Sequence, residues 1–261
     1  MPALAQQDLL DYDRSLKFAR YLNNTKQYSF SAGEYERLNF LWPEDSAVQL
    51  ELVRTYRFNN DCAQFSASVN MISANHRLFL YPSYAREYLR FCLGCKIEHP
   101  LYSSVTNSLE PGEEAFYTLG YLWITQKHDS AFVYNSRNAD LLSRTTPRLH
   151  SLTNEYENQK YKSPALALFM SSIVPGSGKA YSGRWADASM SLLFVTTSAY
   201  ASYRAFRKKG ISSFNGWLFG GISISFYTSN LYGSYKSARK HNEDLRFQYQ
   251  KDAEGIIYNS F

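Results

Sequence analysis

Uncharged residues crowd the last hundred positions of the chain. Ser163–Gly178, Ala188–Tyr203 and Gly210–Tyr235 carry no charged side chain over 16, 16 and 26 residues, and before them only Cys62–His76, at 15, is comparable. Elsewhere the pattern is amphipathic. Residues 7–22 place Leu9, Leu10, Tyr12, Leu16, Phe18, Ala19 and Leu22 mostly three and four apart, an apolar stripe that predicts a helix. Ser31-Ala32-Gly33-Glu34 has the form of a capping box, which predicts the start of a second helix ending before Pro43. Further helices are predicted near 46–58, 62–75, 83–95, 111–127 and 130–143, with no alternating strand pattern to compete.

A helix rising about 1.5 Å per residue needs about 20 residues to cross a hydrocarbon core of about 30 Å. By that measure two segments, about 187–206 and 214–236, are predicted to span a membrane, with Trp217, Tyr227, Tyr232 and Tyr235 toward the ends of the second as interfacial anchors. Their Gly, Ala, Ser and Thr content predicts close packing as a hairpin. Pro164 and the Pro175-Gly176-Ser177-Gly178 break leave room only for a short interfacial or re-entrant helix at about 165–174. The expected fold is all-α. A helical-repeat or irregular α-bundle domain occupies 1–160, a membrane domain 161–240 and a polar tail 241–261.

Bulk composition hides this division, because 44% hydrophobic residues and a mean hydropathy of −0.41 are those of an ordinary globular chain. Much of the net charge of +5 lies beside the uncharged runs, at Arg204, Arg207, Lys208, Lys209, Lys236, Arg239 and Lys240, where membrane lipid with anionic headgroups is the expected partner. Nucleic acid is not, since the polar half has no basic patch with interleaved aromatics. Cytoplasmic loops retain Lys and Arg, so the Arg204–Lys209 cluster is expected to set the topology. That puts the N-terminal domain in the periplasm and the chain in a bacterial inner membrane. Ala3-Leu4-Ala5 has the form of a signal-peptidase site but has no apolar region before it.

Within 1–160 there are echoes. Tyr21 and Phe30-Ser31-Ala32 return 35 residues on as Tyr56 and Phe65-Ser66-Ala67, and Phe40-Leu41-Trp42-Pro43 returns 39 on as Phe79-Leu80-Tyr81-Pro82. Leu119, Gly120, Trp123, Ala131, Ala139 and Pro147 fit the small and aromatic positions of such a unit. These residues resemble the tetratricopeptide repeat family, and the resemblance implies stacked helix pairs with a concave surface for another protein. Downstream, Pro175, Gly176, Gly178, Lys179, Tyr181, Gly183, Arg184 and Asp187 form a string that resembles the turn of bacterial two-helix modules of the TM2 type. It is also similar to bacterial envelope proteins that join a tetratricopeptide-like domain to such a tail. That resemblance implies a part in envelope assembly or membrane-protein insertion.

No chemistry competes with this reading. Gly178-Lys179 lacks the rest of a phosphate loop, having Ile173 and Ala180 where Gly and Ser or Thr are needed. Asp187 is an ion-site candidate, but a first-turn carboxylate paired with Arg184 or Lys179 is the better expectation. Cys92-Leu93-Gly94-Cys95, with His99 and Cys62, has zinc or redox spacing. Packed thiols are expected there, with a disulfide between Cys92 and Cys95, or to Cys62, as the alternative. His76, His128, His150 and His241 stand apart from any nucleophile, so no catalytic residue, cofactor or metal is assigned. The sequence thus reads as a non-enzymatic, membrane-anchored scaffold for protein–protein interaction. The alternative is a small transporter or channel subunit with an oligomerising hairpin, and a homo-oligomer suits either.

Overall fold

The computed structural model describes residues 11–64, 82–97 and 102–260. Ala3–Ala5, most of the predicted 62–75 helix, the echoes at Phe65–Ala67 and Phe79–Tyr81, and His76 and His99 lie outside the described residues. Among the described residues the structure is helical throughout and has no strand.

The chain divides into two units, Met1–Glu157 with Ala253–Phe261, and Asn158–Asp252. Unit 1 holds α1 (Tyr12–Asn24), α2 (Tyr28–Leu41), α3 (Ser46–Asn59), α4 (Pro82–Cys95), α5 (Tyr102–Thr106), α6 (Pro111–Ile124), α7 (His128–Arg137), α8 (Ala139–Thr145) and α9 (Pro147–Glu157). Unit 2 holds α10 (Pro164–Ile173), α11 (Ser177–Tyr181), α12 (Trp185–Lys209) and most of α13 (Phe214–Tyr258), whose last turns belong to unit 1.

The α1–α2 and α6–α7 pairs share one turn design. Thr25 and Thr125 cap the first helix of each pair at φ −86° and −85°. Lys26 and Gln126 then adopt left-handed φ of 61° and 58°. Each threonine hydroxyl donates to the carbonyl four residues back, Tyr21 O at 2.9 Å and Tyr121 O at 2.7 Å. The matching Tyr-Leu-x-x-Thr strings lie 100 positions apart, at Tyr21 and Tyr121. Small side chains let the paired helices approach: Ala19, Ser31 and Ala131 are fully buried, and the Ser31 hydroxyl donates to Ala19 O across the α1–α2 crossing at 3.0 Å. The expected capping box is therefore corrected. Helix α2 begins at Tyr28, a turn earlier, and Ser31 is a crossing residue inside it. Tyr35, Leu38, Phe91, Leu119 and Trp123 fill the core, where the Trp123 indole donates to Thr153 Oγ1 at 2.9 Å.

Unit 2 corrects the membrane assignment. Helices form over the predicted segments, but among the described residues no helix is long and apolar enough to cross a membrane. The spanning pair at 187–206 and 214–236 is thus not supported, and without it the helix expected at 165–174, observed as Pro164–Ile173, has no spanning partner to make it re-entrant. The physical reason lies in what replaces the missing charges. Ser189, Ser191, Thr196, Thr197, Ser198 and Ser202 dilute α12, and Asn215, Ser223, Ser225, Thr228, Ser229, Asn230 and Ser234 dilute α13. Hydroxyls and amides are unfavourable in hydrocarbon, so an uncharged run is not by itself an apolar one. Nor does α13 end near 236, since it continues unbroken through the charged residues to Tyr258. The expected hairpin contacts are present. Ser202 Oγ donates to Gly216 O at 2.7 Å, Ser223 Oγ to Val195 O at 3.3 Å, and Phe194 stacks on Phe226.

Candidate functional site

Among the described residues, side chains capable of recognition gather in a cavity of unit 1 and in the turn of unit 2. The first is a cavity of about 610 Å³ in unit 1. Prolines at the first positions of α6 and α9, Pro111 and Pro147, start these helices beside each other, because a fixed φ suits a helix start and no amide is wasted there. Close approach is allowed by Gly112, where a Cβ would lie 2.8 Å from Thr145 Cγ2. Phe116, Tyr117, Leu149 and Ile256 form the apolar wall, and Arg90, Glu110, Glu113 and Arg148 line the remainder.

These charges differ in standing. Arg86 holds Glu113 through Nε at 2.8 Å and Nη2 at 3.1 Å. Arg90 Nη1 donates to Glu87 Oε1 at 2.9 Å. Burial, opposed by the neighbouring Arg90, raises the Tyr117 phenol above its ordinary pKa. Glu110 and Arg148 are exposed. The Thr145 and Thr146 hydroxyls both donate to carbonyls of their own helix, Leu141 O and Leu142 O, so neither is aligned with a base. Nearby His150 faces amides on both sides, Nδ1 to Asn135 Oδ1 at 2.9 Å and Nε2 to Asn154 Nδ2 at 3.1 Å. Such a cavity can seat an apolar group flanked by polar ones. Among the described residues no group of three or more His, Cys, Asp or Glu is placed to hold a metal.

Arg90 also ties the cavity to a network that the sequence reading missed. Glu87, 3% exposed, is approached by Arg57 Nε at 2.9 Å, Arg90 Nη1 at 2.9 Å and Arg54 Nε at 3.5 Å. A buried carboxylate needs such partners. The available signal was the i,i+3 spacing of Arg54 with Arg57 and of Glu87 with Arg90.

The second place is the turn of unit 2, where the structure brings the predicted residues together as packing elements. Pro175 and Gly176 follow α10, and Gly176 takes a left-handed φ of 94°. A Cβ there would overlap Ala188 O, and one on Gly178 would overlap Ala167 O. Gly178 N donates to Ser171 Oγ at 2.9 Å, and that hydroxyl shares a 2.7 Å hydrogen bond with Ser234 Oγ. Lys179 Nζ donates to Ser191 Oγ at 2.7 Å. Burial holds the Lys179 ammonium below its ordinary pKa, with Asp187 opposing and Arg184 adding to the shift. The Tyr181 hydroxyl accepts from Ser163 N at 3.2 Å, and Gly183 takes φ 82°. Arg184 pairs with Asp187 at 2.5 Å, both half-exposed, a surface pair worth at most about 1 kcal/mol. Asp187 thus sits in the first turn of α12 as a helix-start carboxylate. Arg204, Arg207, Lys208 and Lys209 lie in its last turns, where cations complement the helix dipole, and Arg207 Nη1 donates to the Tyr203 hydroxyl at 3.2 Å.

Comparison of the chain with protein-family models, with curated proteins and with solved structures finds no match.

Proposed function

We propose that the protein is a non-enzymatic helical scaffold whose unit 1 seats a segment of another protein. The observation that carries this reading is the 610 Å³ cavity between the starts of α6 and α9, with its apolar wall and charged rim. Pockets of this size that are largely apolar with a few polar groups bind by burial and are oriented by polar contacts. The hydroxyls around it are engaged within their own helices, so the arrangement favours holding over reaction. The repeated helix–turn–helix design of α1–α2 and α6–α7 supports a tetratricopeptide-like origin for this surface. The motif of unit 2 supports a place in bacterial envelope assembly.

Unit 2 supplies a second contact surface. Large apolar side chains stand exposed along it, among them Phe169, Trp185, Leu193, Phe214 and Trp217. Exposed apolar side chains in this number on one unit favour a contact surface there. Basic and aromatic residues cluster at Tyr203–Lys209 and Tyr232–Lys240, and we place lipid headgroups at a bilayer face, rather than across one, as their partner.

A photo-crosslinking residue in place of Phe116, in the full chain in cells, tests the scaffold reading. A single discrete adduct is expected, absent when Leu149→Trp fills the cavity. The reading is overturned if position 116 gives no adduct while an exposed site such as Val133 gives one.

A further inference from the structure

The cysteines form a feature that the scaffold reading does not use. Cys62 and Cys95 are joined by a disulfide, with Cα atoms 5.8 Å apart and a sequence separation of 33. Each lies beside a helix end finished in the same way. Helix α3 closes on Asn60 at φ 55°, α4 on Lys96 at φ 54°. In both, the following amide reaches back five residues, Asp61 N to Tyr56 O and Ile97 N to Cys92 O, each at 3.0 Å. These helix-end bonds are the left-handed cap geometry that fixes a chain's exit direction, so the backbone beside both cysteines is set by hydrogen bonds as well as by sulfur. The third cysteine, Cys92, is buried one turn before Cys95 and remains a thiol. Burial pushes its pKa up to about 12, so at neutral pH it is not the thiolate that attacks a neighbouring disulfide.

Disulfides persist in oxidising compartments and are kept reduced in the cytosol. We infer that Cys62–Cys95 is a structural disulfide and that unit 1 completes its fold in an oxidising compartment, outside the reducing cytosol. In the bond-forming step the two thiols lose two protons and two electrons. The acceptor is the disulfide of an oxidising thiol–disulfide exchange protein, which passes through a mixed disulfide and leaves as a dithiol. Closing a loop of this length removes unfolded-state entropy equivalent to a rise of about 10 °C in the melting temperature of a unit this size.

The test is to produce the full chain in a bacterial host twice, once exported to the periplasm and once retained in the cytoplasm. Acid quenching, labelling in denaturant with a mass-tagged maleimide and thermal melting then read the outcome. The exported chain is expected to take one label, the retained chain three, and peptide mapping of the exported chain to link Cys62 to Cys95. The exported chain should melt about 10 °C higher, a difference that reductant abolishes. Cys92→Ser should keep the difference, and the Cys62→Ser, Cys95→Ser pair should lose it. Three labels on the exported chain, a link that includes Cys92, or equal melting of both preparations would overturn the inference. The label count is read in denaturant and holds whether or not a variant folds.

Discussion

Gly178 is the residue on which the turn of unit 2 depends most. Its α-carbon faces Ala167 O so closely that any side chain must displace backbone, whereas a Cβ added to Gly221, inside α13, would meet nothing within 4 Å. Gly178→Ala is therefore expected to lower stability by about 1–3 kcal/mol, and Gly221→Ala to raise it by up to about 1 kcal/mol. Denaturant titration of the two variants checks both signs. A pH effect belongs to this scale too. Burial raises Tyr35 from 10.0 to about 12. A group protonated more tightly when folded contributes stability that is complete below pH 10 and is lost as pH rises through about 12. Lys179 has the opposite sign, because its lowered pKa makes the folded state gain stability as pH climbs toward 10.5. Melting curves at rising alkaline pH should show net loss above pH 10, and a smaller loss in Tyr35→Phe.

At the scale of elements, Glu87 links α3 to α4. Glu87→Gln leaves Arg54, Arg57 and Arg90 facing one another without their shared carboxylate. A cost of about 2–3 kcal/mol is expected, below the range for fully buried pairs because the arginines keep some contact with water. Unfolding midpoints of Glu87→Gln against Arg86→Gln, which loses only the half-exposed pair with Glu113, check the contrast.

The helices themselves were legible from periodicity, since apolar stripes at three and four report the buried face directly. Helix starts were less so, as the Ser31 pattern shows. A hydroxyl with a glutamate three residues on also fits a helix crossing, and only the neighbouring helix decides. The cavity could not be read from sequence, because Arg90, Glu113, Arg148 and Ile256 come from helices distant in the chain. The turn motif was legible as a helix break, since a proline and two glycines so close together end a helix, but the close approach of Gly176 to Ala188 and of Gly178 to Ala167 depends on helices the motif does not contain. The membrane expectation fails because the serines and threonines of the two predicted spans signal close packing but also lower the hydropathy below what a hydrocarbon core requires.

For the molecule as a whole, the two units should melt separately. Calorimetry of the oxidised chain is expected to give two transitions, of which reductant lowers only one, the transition of the unit that carries Cys62 and Cys95. A single transition, or a reductant effect on both, would argue for one cooperative block.

Helix α13 carries a consequence for how the protein is made. Ala253 and Ile257 are fully buried in unit 1, Tyr258 donates to Leu93 O at 3.2 Å and Lys96 meets Glu254 at 2.8 Å. Unit 1 is consequently a split body with unit 2 inserted in it. On a translating ribosome residues 158–252 take roughly 5–20 s to add, and throughout that interval the hydrophobic slot for Ile257 stands open. Until that closing segment is seated, the apolar surface it covers in unit 1 is left exposed to other chains.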